Sequence, residues 1–334
     1  MDSPFPKSSS ADGKGRIVVR RLPTGISGLE TFEYQYPLKL VTPRHPPEPS
    51  ALVYLLSYGG GLVGGDKVSL DIEVGAGARL SLATQGHTKI FKSASPDVVT
   101  RQTLRVGIAA GAAVCLLPDP VQPFAHSVYE QLQVFRLARG ASLCLLDWVT
   151  EGRTALGEHW SFASWVGRNE VWTASDDGRP TRDRLLVRDV AILDGKRARP
   201  QGLPTLRESM NGLAVFGTLI LRGPLMKSAG EFFLAEFAAL PRLGARDWRS
   251  DDAKGQNGAA RDDASPREQW RAERLRREKE NKVLWSAAGV RGCVVVKFGA
   301  PTFEAGRLWI GSMLAQEGSI AQHFGEQALM CLRW

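Results

Sequence analysis

The sequence predicts a mainly β protein of stacked or solenoid-like sheets, made of strand-turn-strand units, with about two helices in its C-terminal half. Three observations predict this fold: alternating strands, a repeated unit in the first half, and helical patterns that come only late in the chain. Apolar and polar residues alternate with a period of two at residues 68–74, 103–108 and 131–137. This alternation is typical of strands with one buried face.

The repeated unit has the pattern G-A-x-[LV]-x-L. It occurs at residues 77–82, 111–116 and 140–145, so that the copies begin 34 and then 29 residues apart. An alternating strand and a short turn precede each copy. Stacked units of this kind cover the apolar faces of their neighbours, which favours a solenoid-like architecture.

The repeat also makes predictions about neighbouring side chains. Equivalent positions bring Ser81, Cys115 and Cys144 together, either as small residues packed between layers or as a two-thiolate metal site. The polar residues that follow the second strand of each unit should share one edge of the stack; they are Thr84 and Gln85, Pro118 and Asp119, and Asp147 and Trp148.

Later segments complete the predicted organisation. Residues 231–240 and 302–316 have helical patterns, and a buried strand is predicted at 292–298. Residues 245–282 hold eleven Lys or Arg and nine Asp or Glu, which predicts a charged, partly helical insert. Its helix should start at the capping sequence of Ser265 and be exposed. We expect a disordered leader at 1–16 and one domain over 17–334.

Composition excludes several classes of protein. The chain has 334 residues, of which 43% are hydrophobic and 23% charged, as in globular proteins. It has neither an apolar run of about 18 residues nor a signal-peptide core, so we expect a cytoplasmic protein without a membrane span. The net charge of +8 is spread along the chain without a basic-aromatic motif. This distribution suits an acidic protein partner better than nucleic acid.

A glycine-rich segment at residues 57–66 superficially resembles a nucleotide-binding loop. The spacing of Gly59, Gly61 and Gly64 matches the dinucleotide fingerprint, but an alternating strand follows where that motif requires a helix. A Walker loop is excluded because Asp66 stands where lysine is needed. The segment, which also contains Gly60 and Gly65, is therefore either a structural hinge or a surface that allows close approach.

Candidate chemical groups are mostly carboxylates. The sequence lacks G-x-S-x-G and H-E-x-x-H, and its four cysteines form no C-x-x-C pair. Acids beside glycine or at strand ends remain, and these are Asp66, Asp119, Asp147, Glu151 and Glu170. A pair such as Asp147 and Glu170 could serve as general acid and base in a glycosidase-like site. Alternatively, each acid caps a turn or is simply solvated.

Three segments together carry a resemblance to a known family. Residues 59–66, 82–93 and 117–124 resemble, in order and spacing, the urease accessory protein UreD, also called UreH. Weaker similarity extends through 147–153 and 168–172 into the C-terminal strand and helix. The leader and the charged insert fall outside the resemblance, which covers most of the chain.

The resemblance implies a non-enzymatic urease accessory protein. UreD-like proteins assemble with UreF and UreG on apo-urease, as a dimer of heterodimers with UreF, and nickel is thought to cross them through a tunnel. No tightly bound cofactor is implied, only Ni(II) in transit, and a stable metal site stays an open question. Scattered carboxylates suit such transit because they release nickel more readily than clustered thiolates and imidazoles do.

The resemblance also implies which residues form the path. The family's path residues correspond here to Asp66, Thr88, Asp147 and Glu170. His87 and Asp119 are weaker candidates, and for His87 an ordinary hydrogen-bonded histidine is the favoured interpretation. The alternatives to nickel delivery are a β-solenoid carbohydrate hydrolase that uses Asp119, Asp147 and Glu170, and a β-rich scaffold without a metal role.

Overall fold

A computed structural model of the chain describes residues 13–43, 49–174, 183–195, 204–240 and 265–333. Most of the predicted leader and residues 245–264 of the predicted insert lie outside these ranges. The first strand begins at Lys14, inside the segment predicted to be a leader. The strand belongs to the core because the three consecutive residues Ile17, Val18 and Val19 are buried.

Seventeen strands follow one another along the described residues. They are β1 Lys14–Arg21, β2 Ser27–Tyr34, β3 Leu38–Val41, β4 Ala51–Ser57, β5 Lys67–Val74, β6 Arg79–Ala83, β7 Thr88–Ile90, β8 Thr100–Ile108, β9 Ala113–Leu116, β10 Val121–Pro123, β11 Val128–Leu137, β12 Ser142–Thr150, β13 Ser164–Thr173, β14 Arg184–Asp194, β15 Val215–Arg222, β16 Leu284–Val290 and β17 Cys293–Ala300.

These strands form two sheets. The first sheet has the order β14-β13-β11-β8-β5-β1-β2. The second has the order β16-β17-β15-β12-β9-β6-β4-β3, with the short strands β7 and β10 paired at its side. In the repeat region the chain passes alternately from one sheet to the other, and successive strands within each sheet pair in parallel. The predicted mainly β, solenoid-like fold is confirmed.

The repeated Gly-Ala pair is explained by the turn that leads from the first sheet to the second. Gly77, Gly111 and Gly140 have φ of 66°, 67° and 75°, values that glycine adopts without steric cost. The alanine after each glycine is buried, and its amide donates to the carbonyl three residues earlier. Each unit therefore reverses direction at the same place, which keeps the coils in register.

Two hydrophobic layers enclose the second sheet. One lies between the two sheets, and the other lies between the second sheet and the C-terminal helices. The predicted neighbours Ser81, Cys115 and Cys144 are confirmed, because they stand side by side on β6, β9 and β12. Cys115 and Cys144 are buried in the helix-side layer, and among the described residues no group of three or more His, Cys, Asp or Glu is arranged to hold a metal.

The α-helices of the described residues are α1 Leu206–Ser209, α2 Lys227–Ala238, α3 Pro266–Glu280, α4 Phe303–Glu317 and α5 Ser319–Phe324. Helices α2 to α5 cover the outer face of the second sheet, whereas Leu206 of α1 belongs to the layer between the two sheets. The described residues thus contain more helices than the two or so predicted, since α1 and α5 are too short to show a clear period in the sequence. No helix in the described part of the chain is long and apolar enough to cross a membrane.

The charged helix α3 begins as predicted but is less exposed than predicted. Ser265 and Glu268 form the expected capping box. However, Arg274 and Glu278 are buried, because each finds partners on the neighbouring helices. Arg274 pairs with Glu236 of α2, and Glu278 accepts a hydrogen bond of 2.7 Å from Trp309 of α4. Paired charges can be buried where single charges cannot.

Candidate functional site

The glycine-rich segment packs closely along the chain that contains β7. Gly59, Gly60 and Gly65 adopt positive φ. A side chain at Gly61 would come within 2.9 Å of the carbonyl oxygen of Lys89, and one at Gly64 within 3.0 Å of that of Lys92. These two glycines therefore leave room for residues 89–93 of the same chain.

Asp66 closes the turn at the end of this segment. Its carboxylate accepts a hydrogen bond of 2.8 Å from the amide of Val63, and its own amide donates to the carbonyl of Val63 at 2.9 Å. Asp66 is half-buried and does not belong to the residues that line the cavity described next. Its predicted place on a metal path stays a prediction.

A cavity of about 220 Å³, lined by both polar and apolar residues, lies between the two sheets, on the side opposite the Gly-Ala turns. At its rim, Asp119 accepts hydrogen bonds from the Thr84 hydroxyl at 3.0 Å and the Gly86 amide at 2.9 Å. Trp148 donates to the carbonyl of Pro118 at 2.9 Å. The predicted common edge of the stack is therefore confirmed, and it forms the rim of this cavity.

Asp147 is the buried acid of the cavity. It lies on β12, where alternation directs it toward the first sheet and directs Trp148 toward the helices. Its two carboxylate oxygens accept hydrogen bonds from Gln131 at 2.8 Å and from Asn169 at 2.7 Å. Both donors are neutral amides, and among the described residues no cation forms an ion pair with Asp147. Only 9% of this residue is exposed.

The surroundings of Asp147 favour the neutral form of its carboxyl group more than water does. Burial raises the pKa of Asp147, and the amide hydrogen bonds and the charge of Lys297 oppose this rise only in part. Burial and the charge of Asp147 also raise the pKa of Tyr129, which donates to Gln131 at 3.1 Å. A buried carboxylate without an ion-pair partner among the described residues is costly, and such costs are characteristic of functional sites.

His87 and Thr88 also line the cavity, so the structure brings four predicted residues together there: His87, Thr88, Asp119 and Asp147. His87 packs edge-on against Phe303, with ring centroids 4.7 Å apart. Burial lowers the pKa of His87, an effect that nearby Asp119 opposes. A neutral imidazole in this position could offer a nitrogen to a passing metal ion.

Glu170 lies away from the cavity. It neighbours Asn169 on β13, and alternation therefore places it on the outer face of the first sheet. There it accepts hydrogen bonds from Trp172 at 3.0 Å and Arg188 at 3.0 Å, and it pairs with Arg168. Burial alone would raise the pKa of Glu170, but hydrogen bonds and the arginine charges lower it. The first sheet thus separates Asp147, which contacts its inner face, from Glu170 on its outer face, and the two acids cannot act as an acid and base pair in one cleft.

Glu151, the remaining candidate acid, has a local partner. Its carboxylate lies 2.8 Å from Nδ1 of His159, and its amide donates to the carbonyl of Ala214. These contacts tie the segment after β12 to the start of β15. They fit the structural interpretation of this acid.

Polar residues of the cavity wall that were not singled out in the sequence include Gln102, Gln131 and Gln133, which lie on inward-facing positions of the first sheet. Asn169 was also not singled out; it lies on β13 of the same sheet and donates to Asp147. A signal for the glutamines was present, because Gln131 and Gln133 lie on the same face of β11 as the core residues Tyr129 and Phe135. Polar side chains at core positions of a strand indicate a polar interior.

The fold and this cavity define a class: a solenoid-like, two-sheet β protein that keeps an unpaired carboxylate in a polar interior. The sequence matches the family profile described as "UreD urease accessory protein" over residues 11–333. The chain belongs to this family.

Individual relatives agree with this family. The chain is 32% identical over 292 residues to an uncharacterized urease accessory protein ureD-like of Schizosaccharomyces pombe, covering 86% of this chain and 89% of the relative. It is 36% identical over 241 residues to urease accessory protein UreD of Anaeromyxobacter sp., covering 72% and 75%. It is 32% identical over 216 residues to urease accessory protein D of Arabidopsis thaliana, covering 64% and 69%.

Proposed function

We propose that this chain is a non-enzymatic subunit of the urease maturation machinery, which helps Ni(II) reach the urease active site through the space between its two sheets. The chain would bind apo-urease together with UreF and UreG in the cytoplasm, as a dimer of heterodimers with UreF. Nickel would be its cargo, and it would hold no tightly bound cofactor.

The observation that carries this proposal is Asp147. It is a buried carboxylate without an ion-pair partner among the described residues, and it faces a cavity whose wall contains amides, hydroxyls and apolar groups together with Lys39, His87 and Asp119. A purely structural core would gain stability by replacing such an acid with an apolar residue. Its retention is explained if a cation occupies the cavity transiently.

The kind of ligand supports transit better than storage. The cavity offers oxygen atoms and one imidazole, while the thiols of Cys115 and Cys144 lie in the other layer. Nickel binds thiolate and imidazole clusters tightly, whereas isolated carboxylate and amide oxygens hold it weakly. A cargo ion must be released, so weak binding suits the proposed role.

Co-expression tests this proposal most simply. We expect that apo-urease, produced with all its other accessory proteins but without this chain, contains little nickel and has little activity. Adding the chain should restore both. Full nickel content and activity in the absence of the chain would contradict the proposal.

A further inference from the structure

The polar groups of the interior continue past Asp147 toward the far edge of the two sheets. On the second sheet, Asp147, Thr218 and Lys297 stand opposite one another on β12, β15 and β17. On the facing first sheet, Asn169 pairs with Asp189 across β13 and β14. These five residues, which we name the polar row, link the cavity to a groove of about 480 Å³ between the edge strands β14 and β16.

A lysine closes this end of the polar row. The ammonium of Lys297 donates to Asp189 at 2.6 Å and to the hydroxyl of Thr218 at 3.4 Å, and it lies 5.4 Å from the ring centre of Phe216. Lys297 and Asp189 both line the groove. The ammonium therefore lies between the buried acid Asp147 and the outside, at the place where a cation leaving by this route would pass.

The polar row also contains an acceptor that lacks a donor. The side-chain oxygen of Asn169 is buried and has no hydrogen-bond partner among the described residues, and Asn169 is only 1% exposed. The amide nitrogen of the same side chain donates to Asp147. Two carboxylates, one free amide oxygen and one hydroxyl thus lie along the row, and these oxygen ligands suit a divalent cation.

We propose that Lys297 occupies a latent divalent-cation site formed by Asp147, Asn169, Thr218 and Asp189, and that its ammonium keeps the site from holding the ion. The inference rests on the proposed transport of nickel. A cation that reaches Asp147 would gain Asp189 as a second carboxylate ligand only when the ammonium swings into the groove. Lys297 would thereby make binding weak and departure easy.

Nickel binding by the purified full-length chain tests this inference. Lys297→Met keeps most of the aliphatic stem above Phe216 but removes the charge, and we expect it to bind Ni(II) about tenfold more tightly than the wild type in equilibrium dialysis, as expected for removal of one nearby positive charge. The double variant Lys297→Met with Asp189→Asn should lose this gain. Unchanged affinity in Lys297→Met, or an equal gain in the double variant, would overturn the inference.

Two controls make the test specific. Lys227→Met removes a lysine whose side chain is exposed on α2, and it should leave nickel affinity unchanged. Lys297→Arg keeps the positive charge and should bind nickel as weakly as the wild type, so tight binding by this variant would also overturn the inference. These measurements do not use urease, and failure of the proposed urease function would be seen separately in the co-expression experiment.

Discussion

Asp147→Asn should reduce the nickel content of co-expressed urease by about tenfold or more while making this chain more stable. The asparagine can keep the contact with Gln131, and its new amide group can donate to the free oxygen of Asn169 once the amide of Asn169 rotates. The variant therefore loses the charge that attracts a cation without losing the hydrogen bonds. Replacing a costly functional group in this way commonly adds about 0.5–2 kcal/mol to the free energy of unfolding.

The stability gain should depend on pH in a definite direction. Burial raises the pKa of Asp147 above its ordinary value of 3.8, so the wild type loses stability as pH rises through the folded-state pKa. The difference between Asp147→Asn and the wild type should thus be smallest below pH 3.8 and grow toward neutral pH. Denaturant titrations at several pH values would show this trend, and a difference that shrinks toward neutral pH would contradict it.

Glu170→Gln provides the matched control for Asp147→Asn. It removes a carboxylate of similar burial from the opposite face of the first sheet, where Arg168 and Arg188 lie beside it. We expect the reverse result, with a less stable chain and nearly normal nickel content in urease. Equal losses of nickel in both variants would indicate a general defect of folding or assembly.

The largest loss of stability should follow substitution of Glu236 on α2. This residue is fully buried, and its carboxylate accepts hydrogen bonds from Arg271 at 2.6 Å, Arg267 at 3.2 Å and Arg274 at 3.3 Å. Glu236→Gln would leave these guanidinium groups around a neutral amide. Removing one partner of a buried ion pair lowers the free energy of unfolding by about 3–5 kcal/mol. We expect urea denaturation to show a loss of this size for Glu236→Gln.

Acid should reduce the effect of Glu236→Gln. Hydrogen bonds from Arg271 lead the interactions that lower the pKa of Glu236, so its stabilising contribution is present above the ordinary pKa of 4.5 and is lost as pH falls. Glu273→Gln on α3 is the control, because Glu273 contacts Arg276 and Arg277 but is exposed to water. The urea concentration at the unfolding midpoint of Glu273→Gln should hardly differ from that of the wild type. A large shift for Glu273→Gln, or none for Glu236→Gln, would contradict this account of how α3 is attached.

Local rules account for the parts of the fold that the sequence predicted correctly. The Gly-Ala turn, the alternation of each strand and the capping box of α3 depend on residues within a few positions of one another. A repeat of these local signals was enough to predict solenoid-like stacking and the neighbours Ser81, Cys115 and Cys144. The burial of α3 was missed because its partners, Glu236 and Trp309, lie about 30 or more positions away in the chain.

The interior site also depends on contacts between residues far apart in the chain, which local sequence patterns do not predict. Asp147 could be selected from the sequence as an acid at a strand end, but its hydrogen bonds come from two strands of the other sheet. The contact between Lys297 and Asp189 joins residues 108 positions apart, and no local pattern indicates it. Glu170 was paired with Asp147 because both were selected as acids beside glycine or at strand ends. The sequence did not show that Glu170 and its neighbour Asn169 point to opposite faces of the first sheet.

The most direct test of the central claim, that nickel passes through the interior of this chain, is a transfer measurement in the presence of a chelator. Radioactive nickel would be loaded onto the complete accessory complex with apo-urease, and an excess of soluble chelator would then be added before transfer begins. We predict that urease still gains most of the nickel with the wild-type chain and little with Asp147→Asn. If the chelator abolished transfer with the wild-type chain, nickel would have to pass through bulk water, and the claim would be wrong.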